Sequence, residues 1–460
     1  MYFDEIDTIK EIELLNRESK SIVWGVHQQH HFIIPPTVYP PREDTTLLAN
    51  EIMKLGPGKG RKALEIGSGS GALSLVMSQL GWKVEACDIN PYAVMSTNYN
   101  LKNAGFEIVC REGGPGPDGI QWAANAPYDL IVWNTPYLSS EDNADHLGPL
   151  EEAALSANRD INLMEILIQQ INKHHLLSRN GLLLMLHQQN PTLFDIASLN
   201  KMASRKCSHK VFEDGEEIQV TCFWYPWHNS PVKHVERVGS TNQALLETQE
   251  RFGSHMTAKT QTMGRGRYQR TWLSPSGSYS GSWILHPELS ISPGLTQIFA
   301  GMCVIRCLES FEVNDLHQKW PNDIYSDEGK IGGILVESQS IGNHMKIVLG
   351  IGVNLSSHMS LNEKGYPHVR GDKTVEFHQF DDRIHAYLAS IFECRKELPK
   401  PDFKFLTEEA FQLICAFGNP IYRNLEWQIT NLTQDGFLEL LNENESLIVK
   451  EGETLDWSRK

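Results

Sequence analysis

Long apolar runs, paired cysteines and blocks of basic residues are all scarce in this chain of 460 residues. Its apolar stretches are short or interrupted, as at Arg306, whereas a membrane helix needs about 20 consecutive apolar residues. The eight cysteines contain no Cys-x-x-Cys pair, and no signal-peptide pattern opens the sequence. We therefore expect a cytoplasmic protein with reduced thiols and without a membrane partner.

Charge also limits the classes of partner. The sequence has 41 lysine and arginine residues against 57 aspartate and glutamate residues, which gives a net charge of −16 without a basic block. Proteins that track nucleic-acid phosphates usually present a basic face, so DNA is not an expected partner. The histidine pairs that begin at His30 and His174 lack further ligands at zinc spacing, and no protein metal site is predicted.

The most informative segment follows Gln261, where three arginines and two glycines lie within a few residues. They are Gly264, Arg265, Gly266, Arg267 and Arg270. Glycine lets backbone N–H groups approach a phosphate, and guanidinium groups add paired hydrogen bonds to an anion. A loop of this kind can hold a carboxylate beside the α-phosphate of ATP, so the sequence predicts an anion-binding cradle.

Three further motifs carry polar or charged side chains that could contact the same ligand. Lys330 follows a turn and precedes an apolar strand, so we expect its amine at a strand end, where ligands collect. Upstream, a capping-box pattern predicts a helix that begins at Ser240 and directs its N-terminus at the pocket. The motif sequences are Ser240-Thr241-Asn242-Gln243, Lys319-Trp-Pro-Asn322-Asp323 and Lys330-Ile-Gly332-Gly333.

These motifs, in this order and spacing, resemble those of biotin–protein ligases. The resemblance implies an α+β, class II synthetase-like domain with a small SH3-like β-barrel as a C-terminal cap. It also implies that biotin and ATP, with Mg²⁺ on the phosphates, form biotinyl-5′-AMP. Biotin then passes to a lysine of a biotin carboxyl carrier protein. An acid such as lipoate or octanoate is the open alternative.

The resemblance also assigns roles to residues of this ligase half. Lys330, Arg265 and Arg267 would be catalytic. The expected biotin and adenylate contacts are Ser240, Thr241, Asn242, Gln261, Gly264, Arg265, Gly266, Arg267, Arg270, Trp272, Lys319, Asn322, Asp323, Lys330, Gly332, Gly333 and Asn354.

The first half of the chain carries a different set of motifs. A turn with three alternating glycines follows a short apolar strand, and a second strand ends at Asp88. That carboxylate can accept hydrogen bonds from two ribose hydroxyl groups. A third apolar strand ends in a motif that contains Asn134. The Asn134 amide oxygen and a main-chain carbonyl can each accept a hydrogen bond from one of the two N–H groups of a planar nitrogen. The motifs are Glu65-Ile-Gly67-Ser-Gly69-Ser-Gly71 and Asn134-Thr135-Pro136-Tyr137.

These residues resemble class I S-adenosylmethionine-dependent methyltransferases. Residues 38–45 also resemble the segment ahead of that fold in release-factor glutamine methyltransferases. The resemblance implies a Rossmann-like, doubly wound α/β sheet, catalytic Asn134 and Tyr137, and a peptide-chain release factor as methyl acceptor. Expected S-adenosylmethionine contacts are Glu65, Gly67, Gly69, Gly71, Asp88 and Asn134. Expected contacts of the methyl acceptor are Asn134, Thr135, Pro136 and Tyr137.

Two departures from that family leave the substrate open. Thr135 stands where the family has proline, which predicts a looser turn, and residues 156–160 lack the glycines of the family. An adenine-N6 nucleic-acid methyltransferase and a non-catalytic scaffold are the remaining alternatives for this half.

The domain organisation follows from the turn-forming residues 225–231, which come after the last apolar strand of the first half. We expect a methyltransferase-like domain over residues 1–228 and a ligase catalytic domain over residues 229–414. Short strands separated by turns predict the small β-barrel over residues 415–460.

Overall fold

The computed structural model describes residues 17–116, 119–136, 163–190, 192–213, 215–341, 344–356, 367–369, 375–443 and 445–459. Its contacts divide the chain into an N-terminal unit, Met1–Tyr225 with Glu397–Pro399, and a C-terminal unit, Pro226–Lys396 with Lys400–Lys460. The boundary after Tyr225 lies in the turn-rich segment 225–231, while the predicted limits at 228 and 414 stay predictions. Within the described ranges, no helix combines the length and the apolar character that crossing a membrane requires.

The N-terminal unit contains a hairpin and a seven-stranded sheet. The hairpin strands are β1 (Lys20–Trp24) and β2 (His30–Ile34), and the sheet strands are β3 (Lys62–Ile66), β4 (Lys83–Asp88), β5 (Val109–Glu112), β6 (Tyr128–Asn134), β7 (Leu177–Gln188), β8 (Ala203–Val211) and β9 (Glu217–Trp224). The sheet order is β5-β4-β3-β6-β7-β9-β8, with β3 to β7 parallel and β9 antiparallel to both of its neighbours.

This strand order determines where a ligand can bind. Strands β4 and β6 lie on opposite sides of β3, so the order reverses there, and ligands of doubly wound sheets bind outside the carboxyl ends at such a point. Leu130, Ile131 and Val132 of β6 are fully buried, as expected of a parallel strand covered on both faces. The doubly wound sheet predicted from the sequence is therefore confirmed.

Five described helices accompany this sheet. They are α1 (Glu43–Lys54), α2 (Ala72–Gln79), α3 (Pro91–Asn103), α4 (Leu163–His174) and α5 (Leu193–Leu199). Helix α3 begins because the Asn90 side chain accepts a hydrogen bond from the N–H of Tyr92, while Pro91 occupies the first turn, where its missing N–H costs nothing. Helix α1 has Glu43 and Asp44 in its first turn, where negative charge is favourable.

The C-terminal unit is built on a second seven-stranded sheet. Its strands are β10 (Val232–Val238), β11 (His255–Gln261), β12 (Ser278–Leu285), β13 (His317–Lys319), β14 (Asp323–Ser326), β15 (Gly329–Ile341) and β16 (His344–Asn354). The order is β10-β11-β12-β16-β15-β14-β13, and only the first pair is parallel. A mostly antiparallel sheet with helices packed on it is the α+β arrangement that the sequence predicted.

The described helices of this unit are α6 (Thr241–Glu247), α7 (Pro293–Glu309), α8 (Phe377–Phe392) and α9 (Phe403–Phe417). Helix α7 is mostly apolar and buried along most of its length, and it packs against α8, α9 and the sheet. Its start is capped by Ser292, whose hydroxyl accepts the N–H of Leu295. Helices α7, α8 and α9 form the main core of the C-terminal unit together with the sheet and the last strands of the chain.

The last part of the chain forms short strands, as predicted. They are β17 (Gly418–Tyr422), β18 (Leu425–Glu426), β19 (Gln428–Leu432), β20 (Leu438–Leu441), β21 (Ser446–Val449) and β22 (Asp456–Arg459). They make two three-stranded antiparallel sheets, in the orders β18-β17-β22 and β19-β20-β21, and the described pairings do not close a barrel between them. Trp320 donates a hydrogen bond to the carbonyl of Gly436, which attaches the turn between β13 and β14 to these strands.

Candidate active sites

A polar cleft lies at one end of the second sheet. It is formed by the start of α6, the loop after β11, the β14–β15 hairpin, the middle of β16 and the turn between β21 and β22. Its lining residues are Ser240, Thr241, Asn242, Gln261, Arg265, Gly266, Arg267, Arg270, Thr271, Trp272, Asn322, Asp323, Lys330, Gly333, Ile334, Leu335, Gly350, Ile351, Gly352 and Glu453. Most of the predicted ligase contacts therefore share one cleft.

The arginine-bearing loop is a small hairpin. The N–H of Trp272 donates to the carbonyl of Gly264 at 2.9 Å, and the N–H of Gly266 donates to the carbonyl of Arg270 at 2.7 Å. A β-carbon on Gly264 would lie 2.4 Å from the Trp272 carbonyl oxygen, so only glycine permits this close approach. The hairpin projects all three arginines into the cleft lining.

Two acidic residues lie near those arginines. Arg265 Nη1 is 3.2 Å from Glu337 Oε1, while Arg267 Nη1 and Arg270 Nη1 are 3.9 and 4.0 Å from Glu453 Oε1. Glu453 belongs to the short 3-10 turn Gly452–Thr454 of the C-terminal strands. At about 4 Å the two contacts to Glu453 are long for hydrogen bonds, so the arginines can turn toward an incoming anion.

Lys330 occupies the beginning of β15. Its Nζ lies 2.6 Å from Oδ1 of Asp323 on β14 and 5.4 Å from the centre of the Trp272 ring. Lys330 pairs with Tyr325 across the β14–β15 ladder, beside a bulge that shifts its register. The amine is more than one-third exposed, and it stays available to a ligand in the cleft.

The start of α6 confirms the capping prediction. The hydroxyl of Ser240 accepts the N–H of Gln243 at 3.4 Å, and the helix begins at Thr241. Gln261 fixes this corner because its Oε1 accepts the N–H of Thr241 at 2.8 Å and its hydroxyl at 3.1 Å. The Asn242 amide donates to Glu337 at 2.8 Å. Much of the hydrogen-bonding capacity of this corner is therefore used within the protein.

The Trp272 indole lies against the glycines of two strands. A β-carbon on Gly352 would lie 2.6 Å from indole atoms of Trp272, and one on Gly333 would lie 3.2 Å from them. The indole N–H is buried and has no hydrogen-bond partner among the described residues. An acceptor on a bound ligand would satisfy that N–H, since an unpaired buried donor is unfavourable.

Four predicted ligase contacts lie outside the lining. Gly264 lies at the base of the loop hairpin. Gly332 packs closely against β16, since a β-carbon on it would lie 3.1 Å from the carbonyl oxygen of Gly352. The Lys319 amine lies over the Tyr325 ring, 5.6 Å from its centre. Asn354 accepts a hydrogen bond from Ser278 and donates one to Pro367. For each of these four a structural role is visible, and ligand contact stays a prediction.

Sequence reasoning also missed residues that line the cleft. They are Thr271, Ile334, Leu335, Gly350, Ile351, Gly352 and Glu453. Thr271, Ile334 and Leu335 lie beside the quoted motifs, and Gly350, Ile351 and Gly352 lie just before the predicted contact Asn354, so proximity in sequence could have found these six. Glu453 is far away in sequence and had no local signal.

In the N-terminal unit, the predicted groups collect at the carboxyl ends of β3, β4 and β6. The three glycines that follow β3 have positive φ: Gly67 (64°), Gly69 (52°) and Gly71 (84°). A β-carbon on Gly71 would also lie 2.7 Å from the Leu101 side chain. The glycines are thus required by the backbone of a tight turn that joins strand to helix.

Asp88 holds this turn in place. Its two carboxylate oxygens accept the N–H of Gly69 at 2.8 Å and the N–H of Asn90 at 2.9 Å. Burial raises the pKa of Asp88, and the hydrogen bonds from these N–H groups oppose that shift. A carboxylate has about four acceptor positions, so the proposed ribose contact is compatible with these bonds.

The Glu65 side chain is buried beside the first turn of α2. It is 2% exposed, and its carboxylate accepts hydrogen bonds from the N–H (2.7 Å) and the hydroxyl of Ser74 in the first turn of α2. Burial raises the pKa of Glu65 to about 8, against the lowering effect of the Ser74 bonds. Glu65 thus caps α2, and its predicted contact with a cofactor stays a prediction.

Asn134 ends β6 with a defined orientation. Its amide Nδ2 donates to Oδ2 of Asp44 at 2.9 Å, while its Oδ1 is buried without a hydrogen-bond partner among the described residues. Because a carboxylate accepts hydrogen bonds from N–H groups, Asp44 fixes which end of the amide is the free acceptor. Asp44 lies in the segment 38–45 that the sequence singled out without assigning it a role.

Thr135 is bonded to the neighbouring strand. Its N–H and its hydroxyl both donate to the carbonyl of Leu186, at 3.0 and 2.7 Å. The threonine hydroxyl thus ties the start of the turn to β7, and the predicted loosening of the turn stays a prediction. Pro136 follows on the surface. Tyr137 and residues 156–160 lie outside the described residues.

Comparisons with known proteins agree with both sets of motifs. Residues 235–354 match the model of the Biotin/lipoate A/B protein ligase family, and residues 42–186 match that of the Methyltransferase small domain. The chain is 35% identical over 125 residues to the Bifunctional ligase/repressor BirA of Salmonella typhimurium, covering 26% of this chain and 39% of that protein. It is 32% identical over 133 residues to the Biotin--[acetyl-CoA-carboxylase] ligase of Paracoccus denitrificans, covering 26% and 53%.

A solved structure is also similar. It is the biotin protein ligase from Aquifex aeolicus in complex with biotin and ATP, with a TM-score of 0.42, 22% sequence identity, and coverage of 50% of this chain and 99% of that chain. The present chain spans 39% and 53% of the length of the two curated relatives named above. Both resemblances are confirmed at this level: one segment of the chain matches the model of the Methyltransferase small domain, and another matches that of the Biotin/lipoate A/B protein ligase family.

Proposed function

We propose that the C-terminal unit is a biotin–protein ligase that makes biotinyl-5′-AMP from biotin and ATP and transfers biotin to a carrier-protein lysine. The observation that carries the proposal is the gathering of Lys330 and three arginines in one cleft. Joining a carboxylate to a phosphate brings two anions together, and fixed positive charge offsets their repulsion. Ser240, Thr241 and Gln261 supply neutral polar groups at the same cleft for the uncharged ring of biotin.

The chemistry follows from this distribution of charge. The biotin carboxylate attacks the α-phosphate of ATP, and pyrophosphate leaves. Lys330 stabilises the crowded phosphorus, and Arg265, Arg267 and Arg270 hold the phosphate oxygens. In the second step a lysine amine of the acceptor attacks the acyl carbon, and AMP leaves. This step needs no cysteine or serine nucleophile, because the mixed anhydride is already activated.

The cleft also has groups that suit Mg²⁺. Asp323 and Glu453 are carboxylates in the lining, and Mg²⁺ is held by one or two carboxylates together with substrate phosphates. Asp323 is paired with Lys330, and Glu453 lies near two arginines. Asp323 would hold the ion, whose chemical contribution is to neutralise phosphate charge.

The test is an incubation of the full-length chain with ATP, Mg²⁺, labelled biotin and a biotin carboxyl carrier protein. We expect ATP-dependent label on the carrier protein and release of pyrophosphate. A parallel incubation with lipoate distinguishes the acid. Labelling by lipoate without labelling by biotin would overturn the assignment of biotin while retaining the ligase reaction.

A second function is supported by a separate observation. We propose that the N-terminal unit is an S-adenosylmethionine-dependent N-methyltransferase, because the buried Asn134 Oδ1 is an oriented acceptor at the carboxyl end of β6. The glycine turn and Asp88 would hold the cofactor, which supplies the methyl group when bound. A planar amide nitrogen donates two hydrogen bonds. Asn134 Oδ1 can accept one of them, and the main-chain carbonyl of its motif can accept the other. A release-factor glutamine is the proposed acceptor.

The methyltransferase proposal has its own test. Calorimetry with S-adenosylmethionine should show binding to the full-length chain, and methyl label should then appear on a purified peptide-chain release factor. Label on DNA or RNA instead would favour the adenine-N6 alternative. Absence of S-adenosylmethionine binding would favour the non-catalytic scaffold.

A further inference from the structure

A histidine, a carboxylate and a thiol meet at the surface of the C-terminal unit. The ligand atoms of His286, Glu288 and Cys394 all lie within 4.8 Å of one another. His286 and Glu288 belong to the turn that follows β12, and Cys394 comes shortly after α8 ends. None of the three lines the polar cleft of this unit, and none was singled out by its sequence context.

The identity of the ligands points to one class of metal. A thiolate, an imidazole and a carboxylate together are typical donors for Zn²⁺, whereas Mg²⁺ and Ca²⁺ prefer oxygen alone. From zinc–ligand bonds of about 2.0 to 2.3 Å, two ligand atoms of a tetrahedral site are about 3.3 to 3.7 Å apart. His286 Nδ1 and Glu288 Oε2 are 3.8 Å apart, so this pair is already near that spacing.

Two of the three residues are held by their surroundings. The His286 ring packs against the Phe252 ring with 4.3 Å between their centres, and β12 beside it is paired on both edges. Cys394 follows Glu393, which is 4% exposed and accepts the N–H of Trp227 at 2.9 Å. Glu288 is 78% exposed, so its side chain can rotate to complete the set.

We propose that His286, Glu288 and Cys394 form a zinc-binding site that joins the end of β12 to the end of α8. Binding removes the proton of the Cys394 thiol, which passes to solvent. Nδ1 of His286 accepts a hydrogen bond from the N–H of Glu288 at 3.2 Å, and this bond would break if Nδ1 bound the ion. One water molecule can accept a hydrogen bond from that N–H, and another can fill the fourth coordination position of the zinc ion.

The experiment loads the full-length protein with zinc chloride, removes unbound ion by dialysis and measures zinc per chain. We expect the wild type to retain one zinc ion. Cys394→Ser and Glu288→Gln should each weaken zinc binding at least about tenfold, because each removes a direct ligand. Cys415→Ser is the matched control, since it also removes one thiol of this unit but leaves the cluster intact, and it should retain zinc.

A second measurement is independent of protein stability. Cobalt(II) in place of zinc should give a thiolate-to-metal charge-transfer absorption in the wild type and in Cys415→Ser, and none in Cys394→Ser. A wild type that retains no zinc, or equal zinc content in wild type and Cys394→Ser, would overturn the proposal. The latter result would mean an ion bound elsewhere on the surface.

Discussion

The side-chain amide of Asn134 donates a hydrogen bond to Asp44, with 2.9 Å between Nδ2 and Oδ2. Asp44 is 2% exposed and lies in the first turn of α1, outside the strands that carry the other methyltransferase motifs. Its carboxylate therefore determines the orientation of the amide oxygen that the proposed reaction uses. Asp44 is a positioning residue in this proposal.

Removing this carboxylate should impair methyl transfer without affecting the cofactor. Asp44→Ala frees the Asn134 amide to rotate, and a misplaced acceptor can slow a reaction by about 10²-fold. The measurement is methylation of a release factor together with calorimetric S-adenosylmethionine binding, which should not change. Glu43→Ala is the matched control, because Glu43 is the exposed neighbour paired with Lys210. Equal methylation rates in Asp44→Ala and wild type would contradict the positioning role.

Lys330 gives a direct test of the ligase proposal. Lys330→Ala removes the amine that stabilises the phosphorus, and the rate of biotinyl-AMP formation should fall by about 10² to 10³-fold. Pyrophosphate release with biotin and ATP measures that rate. Lys259→Ala should behave as the wild type, since Lys259 is an exposed lysine of the same sheet paired with Glu236. Normal adenylate formation by Lys330→Ala would remove Lys330 from the mechanism.

Glu453 should affect the binding of nucleotide. Its carboxylate lies about 4 Å from Arg267 and Arg270, so it competes with phosphate for their charge. Glu453→Gln should therefore tighten ATP binding by up to about fivefold, which is the scale of an exposed ion pair. Calorimetric titration with ATP at two salt concentrations measures the effect, which should shrink at higher salt. Weaker binding by the variant would instead indicate that Glu453 holds Mg²⁺.

Glu65 makes the stability of the N-terminal unit depend on pH. Burial raises its pKa to about 8, so the folded state binds a proton more tightly than the unfolded state, where the pKa is about 4.3. This contribution to stability is complete below the unfolded pKa and is lost as pH rises through about 8. Glu65→Gln, which is neutral at every pH, should remove that dependence.

Hydrogen exchange of the α2 amides measures this effect within the unit concerned. The protection of the wild type relative to Glu65→Gln should fall progressively between pH 5 and pH 8. Ser198→Ala serves as a control away from Glu65, and it should keep the pH dependence of the wild type. A constant difference between wild type and Glu65→Gln across this range would show that Glu65 is ionised throughout.

Local sequence signals predicted those features of the fold and the sites that depend on residues close together in the sequence. The cap at Ser240 and the glycine turn after β3 were predictable, because a hydroxyl before a helix and glycine at positive φ act within a few residues. The loop arginines and Lys330 were found because their motifs are compact. Strand–helix alternation likewise predicted the doubly wound sheet.

Contacts between distant segments were not predictable in this way. The sequence indicated Glu65 as a cofactor contact, but it did not indicate that the Glu65 carboxylate also caps α2 through Ser74. Nor did it indicate that the Thr135 hydroxyl donates to the carbonyl of Leu186, which lies on another strand. The three residues of the proposed zinc site come together only because β12 and α8 end at the same place.

The position of Glu453 has a consequence for recombining such proteins. The family match covers residues 235–354, yet the cleft takes one of its charged side chains from the turn Gly452–Thr454. A chimera that kept every recognised motif but received its last strands from another protein would present a different charge to Arg267 and Arg270. The last strands and the arginine loop must therefore be inherited together, as a matched pair.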